Sequence, residues 1–130
     1  MNHSPAAILD TLKAYDHILL TGHVNPDGDA IGSLVAMQEF LEGLGKQVVS
    51  VVDDDIDDKF LFLDGAKKIV RPDVVETDAT WLFVVLDATA ADRTGDVEGL
   101  IKGPVLNIDH HVSNLHFADV ECVQIGRAHV

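Results

Sequence analysis

The sequence predicts an α/β domain with a Rossmann-like parallel sheet whose strands are connected by crossover helices. Short apolar runs alternate along the chain with segments whose apolar residues recur at helical spacing, and this alternation is typical of parallel strands joined by helices. The run at residues 81–86 is apolar without interruption, as expected of a strand that is covered on both faces. Three of the runs end directly in turns rich in aspartate and histidine, which would place these polar residues along one edge of the sheet.

Each element is assigned from its own local signals. Ser4 and Pro5 provide an N-cap followed by proline at the first helical position, which favours a helix over residues 6–14. Residues 30–44 carry apolar side chains at helical spacing, and Gly45 is placed to end that helix. Strands are predicted at residues 18–21, 47–52, 81–86 and 105–108, with a brief strand at 68–70 and short helices at 57–63 and 97–101.

Composition limits both the class and the location of the protein. The 130 residues accommodate one domain, and 22 acidic against 9 basic residues argue against a nucleic-acid surface built from clustered Lys and Arg. An acidic pocket can still reach phosphates through bound cations. Cys122 is the only cysteine, so no intramolecular disulfide can form and a reducing compartment fits. Because neither a signal peptide nor an apolar run of ~18 residues is present, we expect a cytoplasmic protein that does not engage membranes.

The ends of three predicted strands carry side chains that bind metals. Since the carboxyl ends of parallel strands meet at one edge of a sheet, we expect these side chains to converge. Clustered carboxylates repel one another unless divalent cations neutralise them, and mixed His and carboxylate ligands suit Mn²⁺, Fe²⁺ or Zn²⁺. Two such ions ~3.5–4 Å apart are a common device for phosphate-ester hydrolysis. The converging residues are His23, Asp27, Asp29, Asp87, Asp109, His110 and His111.

The first turn, Gly22 to Gly32, has supporting detail. Pro26 is expected to stiffen it, and Gly28 is expected to supply the backbone conformation that points two aspartates into one cavity. The N-terminus of the following helix would also favour a bound phosphate. Taken singly, Asp29 has an ordinary interpretation as an N-cap. The acidic run at residues 53–58 is interpreted as a solvated loop.

Three motifs resemble those of the DHH phosphoesterase superfamily, which is named for its Asp-His-His triplet. They are HVNPDGDAIGS, DATAADR and NIDHHVSNLHFAD, and they occur in the family's order from about Ile18 to Ala118. They are most similar to the bacterial branch that degrades very short RNAs and dephosphorylates 3′-phosphoadenosine 5′-phosphate (pAp). An Asp-His-His triplet by itself would be weak evidence for the family, but here it follows a His-x-x-x-Asp-x-Asp pattern at the first strand.

The resemblance implies a site that holds two Mn²⁺ ions. His23 and Asp27 would hold the first ion, Asp29 and His110 would hold the second, and Asp87 would bridge both.

The same resemblance implies supporting roles for four further residues. His111 would face the scissile phosphate as a hydrogen-bond donor to the transition state, and Asp109 would orient a histidine from behind. Arg93 and Asn114 are candidates for binding substrate or ordering loops.

The sequence departs from the family pattern at its C-terminal end. The family has a further metal-binding aspartate and a second, substrate-binding domain with a glycine-rich His-containing motif, and neither is in this chain. Residues 124–130, QIGRAHV, match the translation of ATCGGAAGAGCACACGTC preceded by a codon ending AG, a sequencing-adapter sequence. We therefore expect residues 1–123 to be the N-terminal part of a truncated DHH domain.

The predicted function is a two-metal phosphoesterase acting on short oligoribonucleotides or pAp. Inorganic pyrophosphatase and cyclic-dinucleotide phosphodiesterase activities are alternatives on the same core, and the chain alone could be an inactive metal-binding fragment. The expected partner is a short RNA or nucleotide, and the full-length protein could form a homodimer.

Overall fold

A parallel sheet organises the part of the chain that the computed structural model describes, which is residues 3–56, 58–60, 62–109 and 114–123. Its strands are β1 (His17–Thr21), β2 (Gln47–Ser50), β3 (Leu82–Leu86), β4 (Val105–Asp109) and β5 (Val120–Val123). They lie in the order β2-β1-β3-β4-β5, and every neighbouring pair is parallel. The predicted α/β class is confirmed.

Two α-helices accompany the sheet in the part of the chain that the structure describes. Helix α1 (Pro5–Ala14) begins behind its N-cap Ser4, as predicted. Helix α2 (Gly28–Gly43) begins slightly earlier than predicted because its N-cap is Asp27. Past its C-terminal end, Gly45 adopts a φ of 84°, a left-handed conformation that glycine adopts without steric cost, so the predicted stop is confirmed. No helix in the described part of the chain has the length and apolar character that crossing a membrane requires.

The connections between strands contain short 3-10 segments. The brief strand predicted at residues 68–70 is an isolated bridge between Val51 and Val70. The residues from Ala91 to Leu100 form two 3-10 stretches separated by a kink at Gly95, and the helix predicted at 97–101 overlaps the second stretch. Of the helix predicted at 57–63, residues 57 and 61 lie outside the described range. In the described residues these 3-10 ranges are Asp58–Phe60, Asp64–Lys68, Pro72–Val74 and Ala91–Leu100, the last of them kinked at Gly95.

Strand β5 was not predicted from the sequence. It is four residues long and includes Glu121, whose side chain is 4% exposed and pairs with the His116 ring nitrogen Nδ1 at 2.9 Å. An acidic residue within a short apolar run hides the strand pattern in the sequence. The burial of Glu121 is stabilised by its pairing with His116, and that contact depends on the tertiary structure.

The sheet has an apolar cluster on each face. Central strand β3 is buried along its whole length, which confirms the prediction of a strand covered on both faces. One face packs against both α-helices, through Ile8, Leu12, Leu34 and Leu41. The other face packs against the connection that follows β3, with Val97 fully buried and Leu100 and Ile101 partly buried. With both faces filled, the carboxyl edge of the strands is where polar side chains collect.

Candidate metal centre

Three of the predicted ligands converge at the carboxyl edge of the sheet. His23, Asp27 and Asp87 each offer one ligand atom, and these atoms all lie within 4.8 Å of one another. The Nε2 atom of His23 lies 3.6 Å from Oδ2 of Asp87. β1 and β3 are neighbours, so the turns that leave them are adjacent, as the parallel arrangement predicts.

A backbone contact orients the His23 ring. Its Nδ1 atom lies 2.7 Å from the carbonyl oxygen of Val24. A carbonyl oxygen can only accept, so Nδ1 carries the hydrogen and donates it. In the neutral ring the lone pair is then on Nε2, the atom that faces Asp87, and this is the tautomer that a metal ligand needs.

Asp27 combines a structural role with its place in the cluster. Its Oδ1 atom accepts a hydrogen bond from the Ala30 N–H at 2.8 Å, which makes Asp27, not Asp29, the N-cap of α2. The left-handed residue of the turn is Asn25, with a φ of 54°, and Gly28 is the first residue of the helix. The expectation that Gly28 supplies the special backbone conformation of this turn was therefore wrong. Asparagine tolerates the left-handed region better than most residues, so the turn does not need glycine.

Asp87 directly follows β3 in an uncommon backbone conformation. Its φ is 58°, and its N–H donates to the carbonyl of Ile108 at 2.8 Å. Aspartate is one of the few residues enriched in the left-handed region, and such conformations cluster at functional sites. The hydrogen bond to Ile108 fixes the turn to β4 while the carboxylate faces His23.

Behind the cluster, a buried amide network anchors Asp109. The Nδ2 atom of Asn114 donates to Oδ2 of Asp109 at 2.7 Å and to Oδ1 of Asn107 at 2.9 Å. Asn107 in turn donates to the carbonyls of Val85 and Ala88, at 3.0 and 3.2 Å. Asn114 is 6% exposed, and its candidate role in binding substrate or ordering loops stays a prediction.

An open cavity of about 740 Å³ extends from the cluster along α2. Asp29 is exposed in the first turn of α2 and borders this cavity, outside the group of three converging ligands. The wall combines carboxylates and His23 with apolar side chains. Its lining residues are His23, Asp27, Asp29, Ser33, Ala36, Met37, Phe40, Leu86, Asp87, Ile108 and Asp109.

Some predicted residues lie apart from the cluster or outside the described range. The side chain of Arg93 is exposed, and its backbone carbonyl accepts a hydrogen bond from the Val24 N–H at 2.8 Å. His110 and His111 lie outside the described residues, as do residues 124–130. Their roles and the adapter origin of the tail stay predictions.

Two aspartates support the first turn without having been predicted to do so. Asp54 Oδ2 accepts a hydrogen bond from the Asn25 N–H at 3.0 Å, and Asp53 Oδ2 accepts one from the Asp96 N–H at 2.7 Å. Both are partly buried, whereas Asp55 is exposed. The interpretation of this run as a solvated loop therefore holds for Asp55 and was wrong for the other two. Their only sequence signal is their position directly after the second strand.

Comparisons with known proteins agree with this architecture. Residues 17–127 match the family described as "DHH family, N-terminal domain". The bifunctional oligoribonuclease and PAP phosphatase NrnA of Thermus thermophilus is 35% identical over 93% of this chain and 36% of its own length. The probable bifunctional oligoribonuclease and PAP phosphatase NrnA of Streptococcus mutans is 30% identical over 89% of this chain and 36% of its own length.

A solved structure shares the fold as well. It is that of an exopolyphosphatase-related protein from Bacteroides fragilis, with a TM-score of 0.79 and 27% identity, covering 92% of this chain and 39% of that one. The chain thus spans somewhat more than a third of the length of the proteins it matches.

Proposed function

This chain belongs to the DHH family, and we propose that the protein is a divalent-metal-dependent phosphoesterase acting on short oligoribonucleotides, on pAp, or on both. The observation that carries the proposal is the convergence of His23, Asp27 and Asp87 at one edge of the sheet. The names of the two curated relatives support the substrate class. A cytoplasmic location and a homodimer remain predictions.

The donor set fits a divalent transition metal. One imidazole nitrogen and two carboxylates are mixed nitrogen and oxygen ligands, which suit Mn²⁺, Fe²⁺ or Zn²⁺ better than Ca²⁺ or Mg²⁺. The Val24 carbonyl already holds the His23 ring in the tautomer with Nε2 available. We propose Mn²⁺, with Asp29 and His110 completing a second position as the resemblance implies.

Bound divalent cations would supply a water of lowered pKa and neutralise charge on the phosphoryl oxygens. The chain's own residues position the reacting groups. Asp87 brings a carboxylate from β3 against the first turn, and the Ala30 N–H holds one oxygen of Asp27. His111 is proposed to donate a hydrogen bond to a phosphoryl oxygen, where it would stabilise the charge that develops in the transition state. The volume of the adjoining cavity is in the range of small-molecule sites.

The test is hydrolysis of pAp and of a short oligoribonucleotide by the intact protein with Asp87→Ala. We expect turnover to fall by about 10²-fold or more, because losing a group on which the site's charge stabilisation depends has effects of this order. Glu76→Ala, which removes an exposed acid, is the matched control. Near-normal turnover by Asp87→Ala would reject the assignment.

A second candidate is hydrolysis of phosphoanhydrides. The structural relative from Bacteroides fragilis is described as exopolyphosphatase-related, so inorganic pyrophosphate is a reasonable competing substrate, and cyclic dinucleotides are a further one. Comparing turnover of pyrophosphate, cyclic di-AMP and pAp by one preparation discriminates among them. Dominant turnover of pyrophosphate or cyclic di-AMP would reject the first choice while keeping the metal centre.

A further inference from the structure

The turn that carries two of the three converging ligands is held at successive backbone positions. Between His23 and Asp27, the Val24 N–H donates to the Arg93 carbonyl at 2.8 Å, and the Val24 carbonyl accepts from His23 Nδ1 at 2.7 Å. The next N–H, that of Asn25, donates to Oδ2 of Asp54 at 3.0 Å. The first two contacts come from the adjacent connection and from within the turn. The third comes from the side chain of Asp54, which belongs to neither.

Asn25 is also the residue at which the turn changes direction. Its φ of 54° is uncommon for a residue other than glycine and costs free energy unless its surroundings compensate. A side-chain oxygen that lies within hydrogen-bond distance of the Asn25 N–H, as Oδ2 of Asp54 does, compensates part of this cost. Asp54 therefore stabilises the conformation that separates the two ligands.

The preceding residue, Asp53, contacts the connection that follows β3. Asp53 Oδ2 accepts the Asp96 N–H at 2.7 Å, and Asp53 Oδ1 pairs with an Arg71 guanidinium nitrogen at 3.3 Å. Asp96 and Arg93 lie on either side of Gly95, where the connection after β3 is kinked, and the Arg93 carbonyl holds Val24. Asp54 thus contacts the turn directly, whereas Asp53 contacts the connection whose Arg93 carbonyl holds Val24.

A glycine permits this close approach. Gly95 has a φ of 64°, and a Cβ atom at this position would contact Asp53 Oδ2 and would lie 2.9 Å from Val24 Cγ1. Any side chain here would separate Asp53 from the 3-10 segment or press on the turn. The arrangement therefore depends on Val24, Asp53 and Gly95, which are distant from one another in sequence.

We propose that Asp53 and Asp54 are positioning residues, which hold the turn from His23 to Asp27 in its ligand-presenting conformation and thereby set the affinity of the metal centre without touching the metal. The proposal rests on the proposed function for the presence of that metal. It predicts that geometry at Asp54, rather than its negative charge, controls binding. If Asp54 acted only by long-range attraction of the cation, a glutamate at this position would serve equally well.

The experiment measures the dissociation constant for Mn²⁺ by electron paramagnetic resonance of the free ion, which requires no turnover. Asp54→Asn removes the charge and keeps an oxygen that can accept the Asn25 N–H, whereas Asp54→Glu keeps the charge and displaces the carboxylate by one methylene. Asp55→Asn is the matched control, since Asp55 is 94% exposed and its side chain pairs only with Arg71 among the described residues. We expect Asp54→Asn to bind within about threefold of Asp55→Asn, and Asp54→Glu and Asp54→Ala to bind about tenfold more weakly than wild type, the equivalent of one hydrogen bond.

Amide hydrogen exchange at Asn25 provides the second readout. Exchange at this N–H should accelerate in Asp54→Ala and return towards the wild-type rate in Asp54→Asn, while amides of β3 stay protected and report that the fold is intact. If Asp54→Ala does not fold, the Asn and Glu variants still decide the matter.

Three outcomes separate the proposals. Wild-type affinity in Asp54→Glu together with a loss in Asp54→Asn well beyond that of Asp55→Asn would show a charge effect and overturn the positioning role. Unchanged affinity in Asp54→Ala would also overturn it. If the wild-type protein binds no Mn²⁺, the proposed function fails and the effect on affinity falls with it, whereas exchange at Asn25 still decides whether Asp54 holds the turn.

Discussion

The Nε2 atom of His23 faces Oδ2 of Asp87 across 3.6 Å, although the two residues follow different strands. Their approach is a direct result of parallel pairing, because β1 and β3 are hydrogen-bonded neighbours in register from Ile18 and Leu82 onward. Each strand ends at the same edge, and each continues into a turn with an uncommon backbone conformation, at Asn25 and at Asp87. The backbone geometry of the two turns therefore brings the His23 and Asp87 side chains together.

Replacing Asp87 by Asn should separate its chemical role from its backbone role. Asn tolerates the left-handed conformation that Asp87 adopts, so Asp87→Asn should lose turnover by about 10²-fold or more with little change in thermal stability. Asp87→Ala should lose both, with an added cost of about 1 kcal/mol in the free energy of unfolding for the strained φ. Turnover assays and thermal melting of the two variants check this. Equal melting temperatures for Asn and Ala would contradict the backbone argument.

Removing the Asn114 amide should destabilise the protein. Its Nδ2 serves both Asp109 and Asn107 in a buried setting, so Asn114→Ala leaves buried acceptors without that donor, at a cost of about 1–3 kcal/mol in the free energy of unfolding. Urea denaturation measures it, with Leu115→Ala as control because Leu115 is 71% exposed. A loss no larger than that of the control would indicate that the network contributes little.

Two glycines of the connection after β3, Gly95 at its kink and Gly99 beyond it, should respond differently to substitution by alanine. Gly95→Ala forces alanine to a φ of 64° and places Cβ against Asp53 and Val24, so we expect a loss of about 1–3 kcal/mol in the free energy of unfolding and weaker Mn²⁺ binding. A Cβ at Gly99 meets nothing within 4 Å, so Gly99→Ala should be neutral or slightly stabilising. Denaturation curves and Mn²⁺ titrations of the pair test this, and similar effects at both positions would refute the close-approach argument.

Stability should depend on pH through Glu121. Burial raises the pKa of the Glu121 carboxyl, but hydrogen bonding and charge attraction, with His116 among the partners, outweigh burial and hold that pKa below its usual value of 4.5. A group whose pKa is lower in the folded state adds stability above its unfolded pKa and loses it as pH falls through the folded pKa.

The variant Glu121→Gln should therefore be less stable than wild type at pH 7, and the difference should shrink as the pH falls below about 4.5. Urea midpoints at pH 7 and pH 3 measure it, and Asp73→Asn, which removes an exposed charge, is the control. A difference that persists unchanged at pH 3 would show that shape rather than charge is responsible.

The sequence by itself determined the fold class and included His23, Asp27 and Asp87, the three residues that converge, in its larger set of candidates. Apolar runs such as residues 81–86 report burial directly, because a strand covered on both faces has no solvent side to mark with polar residues. Asp87 follows such a run, so its place at the carboxyl edge follows from local pattern and parallel pairing alone. The family motifs carry the same information, since they consist of the strand ends and the turns after them.

Tertiary structure decided how those residues are held. Folding decided that Asp27 rather than Asp29 caps α2, and that Asn25 rather than Gly28 adopts the left-handed conformation. It also brought Asp54 to the Asn25 N–H. Strand β5 is a similar case, because Glu121 is acceptable within it only where other groups pair with its carboxylate. Local sequence encodes burial and chain direction, whereas hydrogen-bond partners distant in sequence are set by the fold, and their identity is lost in a one-dimensional pattern.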